Sequence, residues 1–156
     1  MTPTDHAGVR VPPPFIFLGF LLAGYLIGQK IGPESLGLPV DIRRGIAFVL
    51  VILGLLVDGV AVASLRRKGT APEPWKPTTA IVDTGLFSIS RNPIYLGFTL
   101  TYVGFAVAMD SAIALCLLMP LLMTIERFVI VREEAYLERQ FGETYRQYKQ
   151  KVRRWL

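Results

Sequence analysis

The sequence predicts an all-α integral membrane protein with about four transmembrane helices and a C-terminal cytoplasmic amphipathic helix. Three observations predict it. Hydrophobic residues make up 52% of the 156, and mean hydropathy is +0.45. Those residues fall in long blocks, without the interruptions that a half-buried helix or strand would impose. The charges collect in the connections between blocks. Four spans use most of the length, so residues 1–156 are expected to form one membrane domain.

Residues 1–13 are polar and carry Arg10; His6 reads as part of a disordered tail. The first span covers about 14–31. Its core could pass for a signal peptide, but Gln29-Lys30-Ile31 follows it in place of a small-x-small cleavage site, so it reads as retained. A short loop with Pro33, Gly37 and Pro39 leads to the second span, about 44–65, which Arg66-Arg67-Lys68 closes at a water interface. Asp58 lies inside that span, where an acid costs about 2.5–3.5 kcal/mol on insertion scales. It either caps a neighbouring helix, shares a proton in the bundle, or lines a polar cavity.

Residues 69–90 form a long connection. Ala71-Pro72-Glu73-Pro74-Trp75-Lys76-Pro77 cannot be a regular helix, because proline removes donors and restricts the residue before it. Asp83-Thr84-Gly85 reads as a turn. The third span, about 93–109, opens with Asn92 as an expected N-cap and Pro93 as its first helical residue. Asp110-Ser111 makes a tight turn, and either residue can cap the fourth span, about 111–131. Beyond it, Leu137, Phe141, Tyr145, Tyr148 and Val152 form one apolar stripe, bent at Gly142, with Arg and Lys on a face suited to an anionic membrane surface.

Net charge is +5, unevenly placed. Four spans put the N-terminus, the 66–92 connection and the C-terminal tail on one side. That side holds Arg10, five basic residues of the connection and eight from Arg127 onward, against Lys30, Arg43 and Arg44 opposite. The positive-inside rule makes the richer side cytoplasmic. The expectation is a multi-pass protein of a bacterial inner membrane with both termini in the cytoplasm. The unevenness argues for topology, not for a nucleic-acid partner. One cysteine, Cys116, and one histidine exclude an intrachain disulfide and a zinc cluster, and no metal is expected.

Two polar clusters flank the later spans: Ser90-Arg91-Asn92 at the mouth of the third, and Arg132-Glu133-Glu134 past the end of the fourth. If they meet, they form a hydrogen-bonding site beside an apolar bundle. Such a site suits an amphiphilic cofactor from water and an apolar substrate from lipid. Free backbone N–H groups at the third helix can receive a carboxylate. Glu133 and Glu134 can accept from hydroxyls or an ammonium, or can be a solvated face. No G-x-G-x-x-G, P-loop or H-E-x-x-H is present.

Several anchors occur together: Thr84-Gly85, Ser90-Arg91-Asn92-Pro93-Ile94-Tyr95-Leu96-Gly97, Arg132-Glu133-Glu134-x-x-Leu137, and Phe141-Gly142-x-x-Tyr145-x-x-Tyr148. Over about residues 70–154 the chain resembles the isoprenylcysteine carboxyl methyltransferase family of integral membrane methyltransferases, related to phospholipid methyltransferases. The resemblance implies S-adenosylmethionine as cofactor, bound without a Rossmann fold. It implies contacts at Thr79, Ala80, Ile81, Val82, Phe87, Asn92, Pro93, Ile94, Tyr95 and Glu133. Phe87 stands where the family usually has Tyr, and Asn92 where eukaryotic enzymes have His. The prenylcysteine enzymes carry an Arg four residues before the matching glutamate, used towards the substrate carboxylate. Here that residue is Val129, leaving Arg127 or Arg132 as substitutes.

Methyl transfer from a sulfonium has a good leaving group already, so positioning and desolvation can supply most of the rate. No indispensable base is expected; Arg91 and Asn92 are positioning candidates. The expected partners are membrane lipids and a lipophilic small-molecule or lipid acceptor. The rivals are a phospholipid or amine N-methyltransferase and, in another class, a four-span multidrug-type transporter built around Asp58.

Overall fold

The computed structural model describes residues 7–9, 11–32 and 34–156; His6, Arg10 and Pro33 lie outside the described residues. The first helix, α1 (Pro13–Ile31), has proline in its first turn, where a missing N–H costs nothing, and ends at Gly32 with φ 131°. The second, α2 (Val40–Arg67), has 28 residues. At 1.5 Å per residue it spans about 42 Å, more than the ~30 Å hydrocarbon core. It therefore starts before the predicted boundary, taking Asp41, Arg43 and Arg44 into its first turns, and it ends on Arg66 and Arg67.

The third helix, α3 (Pro93–Ala108), begins at the expected proline. Asp110 then turns the chain with φ 58°, and Ser111 caps the next helix by accepting a hydrogen bond from the Ala114 amide, 3.1 Å. The fourth crossing is a long helical path, residues 112–141, in pieces: α4 (Ala112–Cys116), α5 (Leu118–Ile125), a π-helical turn (Glu126–Ile130) and α6 (Val131–Phe141). Pro120 explains the first break, since its ring displaces the Cys116 carbonyl and its nitrogen has no proton to give. A final helix, α7 (Glu143–Lys151), follows Gly142, whose φ of 52° and ψ of −121° suit glycine alone.

Among the described residues no strand forms. Three helices among the described residues are long and apolar enough to cross a membrane, and α3 is a shorter apolar one. The fold is that of an all-α, multi-pass membrane protein, as the hydropathy blocks predict.

Helices α2 and α3 pack along their length on a seam of small residues. Ala47, Gly54 and Ala61 are buried at seven-residue spacing on α2, facing Gly97 and Gly104 on α3. A Cβ on Gly54 would lie 2.6 Å from the Gly97 carbonyl oxygen, and one on Gly104 2.7 Å from Val51 Cγ2. Close approach of this kind is what van der Waals packing between helices requires where lipid supplies no hydrophobic drive. On the other side, α1 meets the fourth crossing through Gly24 against Ala114, and Phe17 packs edge-on to Phe98 and Tyr102.

The two ends of the bundle differ. At one end Glu34 accepts from the Ser111 hydroxyl and the Ile113 amide, while Asp110 pairs with Arg43 and accepts from the Leu36 amide. At the other end the 69–92 connection, α6, α7 and the C-terminal residues converge. The chain therefore makes an even number of crossings between the connection and its tail.

Candidate functional site

The convergence encloses a cavity of about 300 Å³. Its walls come from the 71–82 connection, the start of α3, the first turns of α6, and α7. The stripe from Leu137 to Val152 turns inward: Tyr145, Tyr148 and Val152 are buried, with Ile81, Leu137 and Phe141 packed on them. The Tyr148 hydroxyl donates to the Phe87 carbonyl, 2.7 Å, and holds the 3₁₀ turn (Gly85–Ser88) against α7. Burial pushes the Tyr145 hydroxyl up to about 12, and that of Tyr148 well above its ordinary value. Both therefore stay protonated donors at neutral pH.

The π turn adds one residue to the helix and so rotates everything after it by about 100°. Past that turn Glu133 and Glu134 face the bundle. The Tyr95 hydroxyl donates to Glu133 Oε1 at 2.7 Å. Arg91 pairs with Glu134 at 3.2 Å, and both side chains are 9% exposed. The Arg91 Nε is buried without a hydrogen-bond partner among the described residues. Thus the mouth of the third helix and the outward end of the fourth share one cavity wall, as the two polar clusters predict.

Asn92 behaves differently from expectation. It occupies the N-cap position, but its side chain caps nothing. Its Nδ2 instead donates to the Arg154 carbonyl, 2.9 Å, and its own amide donates to Ser90 Oγ, 3.1 Å. The Ser90 hydroxyl donates to the same carbonyl, and the Arg91 amide donates to the Arg153 carbonyl at 2.9 Å. The Arg154 side chain then reaches Glu134 at 2.7 Å and Glu126 at 2.5 Å, and Trp155 Nε1 donates to Glu126. The last residues of the chain thus strap the third helix to the fourth. Sequence reasoning missed this strap, because Arg153 and Arg154 look like two more charges of a basic tail.

Of the residues implied by resemblance, Ala80, Ile81, Val82, Phe87, Asn92, Pro93, Ile94, Tyr95 and Glu133 line the cavity. Thr79 is exposed and outside the wall; its hydroxyl donates to the Gly69 carbonyl and its amide to Thr70 Oγ1, while neighbouring Thr78 lines the cavity. Arg127 and Arg132 are exposed and outside the wall, and Arg132 donates to the Gly8 carbonyl. Val129 is buried in the apolar core at 1% exposure. Among the described residues no cluster of three metal-ligating side chains occurs.

Chemically, the cavity offers a carboxylate that has one oxygen committed to Tyr95, a guanidinium with an unused donor, and a helix start whose amides no side chain caps. Aliphatic and aromatic walls surround them. These features define a class: a multi-pass helical membrane protein with a half-polar cavity at one end of its bundle. Residues 42–144 match the phospholipid methyltransferase family, and the chain belongs to that family of methyltransferases. It is also similar, at 41% identity over 63 residues, to an uncharacterized protein of Haemophilus influenzae; the alignment covers 40% of this chain and all of that protein. No solved structure matches the chain.

Proposed function

We propose that this protein is an S-adenosylmethionine-dependent methyltransferase acting on a lipophilic small molecule or lipid, similar to the isoprenylcysteine carboxyl methyltransferases. The reading rests on one observation: Tyr95 and Glu133 come from two different crossings yet line, with Arg91 just before α3, a single cavity beside apolar walls. The residues fit the donor. Glu133 has an oxygen free for a ribose diol. The unpartnered Arg91 Nε and the uncapped amides of α3 suit a carboxylate. Ile81, Val82 and Phe87 give an apolar bed for a purine.

Bound there, S-adenosylmethionine would supply an electrophilic methyl group on a sulfonium. The chain's own part is to hold, orient and dry the site. Tyr95 fixes the Glu133 carboxylate, Glu134 fixes Arg91, and the apolar wall excludes water from the nucleophile. By the positive-inside rule the cavity end faces the cytoplasm, in keeping with a bacterial inner-membrane protein that has both termini inside. A transporter built on Asp58 is not the reading we adopt, since the chain belongs to a methyltransferase family.

The test is thermal stabilisation by S-adenosylhomocysteine in detergent, followed by mass analysis of lipids from expressing cells. The wild type is expected to be stabilised in a concentration-dependent way. Glu133→Gln, which keeps size and removes charge, is expected to lose at least tenfold in affinity. Undiminished affinity in that variant would overturn the assignment of Glu133.

A further inference from the structure

One acid in the bundle takes no part in the cavity described above. Asp58 lies inside α2, two turns before its basic end, and makes no hydrogen bond or ion pair with any described residue; its Oδ1 is buried. On α3, one turn beyond the Gly97 that faces Asp58, Thr101 Oγ1 is buried and also lacks a hydrogen bond. That is unusual within this bundle. Ser64, Thr99 and Thr124 each donate to the carbonyl four residues earlier, at 2.7–2.8 Å, which is how a hydroxyl in a membrane helix is normally satisfied. Both orphan atoms sit over glycines. A Cβ on Gly97 would collide with the Asp58 carboxylate, and one on Gly54 with the Thr101 hydroxyl.

Asp58 and Thr101 line a second groove, of about 380 Å³, whose other walls include Phe17, Leu21, Phe98 and Phe105. The groove exists because α1 and α2 both pack on α3 but hardly touch one another. It shares Pro14 and Phe98 with the first cavity yet contains none of that cavity's charged groups.

We propose that this groove is a second ligand site, which takes an apolar amine from the bilayer. The amine nitrogen donates to the Asp58 carboxylate, the Thr101 hydroxyl turns from its packing on Gly54 to meet it, and the hydrocarbon body lies along the aromatic wall. Charge complementarity selects the amine. Among the described residues the wall holds one acid and no cation, so a phosphate or carboxylate headgroup has no described partner there. An amine and an acid together carry no net charge, which a hydrocarbon surrounding demands. The rings of Phe17, Phe98 and Phe105 suit a nitrogen that bears positive charge.

The experiment is a titration of the intact protein in lipid nanodiscs with a fluorescent long-chain alkylamine, set against the alcohol of the same chain. The amine is expected to bind saturably and at least tenfold more tightly than the alcohol. Asp58→Asn is expected to weaken the amine at least tenfold while melting temperature and helical content stay unchanged. Thr101→Val, which keeps the side-chain shape, is expected to weaken it about threefold and serves should the Asn variant misfold. Equal binding of amine and alcohol would overturn the proposal. So would amine binding that survives both substitutions: the groove would then hold lipid tails only.

Discussion

Glu134 carries more of the site than its neighbours do. It is buried, and it takes both Arg91 and Arg154. Its removal leaves the Arg91 guanidinium buried without a counter-charge, a situation that typically costs about 3–5 kcal/mol. Arg154 is 30% exposed at the side chain, so water replaces much of what Glu134 gives it. Glu134→Ala is therefore expected to cost about 3–5 kcal/mol, and Arg154→Ala about 1 kcal/mol. Denaturation of the two variants in the same detergent checks the order, and equal losses would show that Arg91 does not depend on Glu134. Gly142 is a second residue with a fixed demand. At φ 52° and ψ −121° a side chain is strained, so Gly142→Ala is expected to destabilise by about 1–3 kcal/mol, read as a lowered melting temperature.

At the scale of elements, the strap formed by Arg153, Arg154 and Trp155 is the part that holds Asn92. Deleting residues 153–156 is expected to leave helical content nearly unchanged, because no helix is lost, while S-adenosylhomocysteine affinity falls at least fivefold. Circular dichroism and the thermal-shift titration together separate that outcome from general unfolding. The strap also shows where sequence reading stops. The four crossings were legible, since lipid demands an uninterrupted apolar block and Arg, Lys, Pro and Gly mark its ends. The meeting of Arg91 with Glu134, and of Tyr95 with Glu133, was legible as a juxtaposition of two polar clusters at the same end of the bundle. The π turn was not, because nothing in Glu126-Arg127-Phe128-Val129-Ile130 distinguishes hydrogen bonds spaced five residues apart from those spaced four apart. The role of Asn92 was misread for a related reason: a local rule predicts a cap, and a partner sixty-two residues away takes the amide instead. The α2–α3 seam had a signal, glycine and alanine at seven-residue spacing, but apolar blocks conceal it.

The whole molecule has one polar end that encloses a cavity and another that is a clasp. At the clasp, Asp110 joins the loop before α2 to the turn before α4 through the Leu36 amide, the Ser35 hydroxyl and Arg43. The Leu36 amide foremost, and then the Ser35 and Arg43 contacts, hold the Asp110 carboxyl below its ordinary value of 3.8. A depressed folded value contributes stability that is present above the unfolded value and is lost as pH falls through the folded one. Acidification from neutrality should thus leave the clasp intact until the range of ordinary carboxylates, about pH 4, and open it below. The cavity end does not use Asp110, so clasp and site are separable. Melting curves of wild type and Asp110→Asn between pH 3 and pH 7 are expected to lie apart at neutrality and to converge at the acid end. Added salt should narrow the gap at neutrality, because the Arg43 pair is partly exposed and screened while the amide bond to Leu36 is not. A gap that stayed constant across the whole pH range would mean that the Asp110 charge contributes nothing, and that the turn is held by its backbone alone.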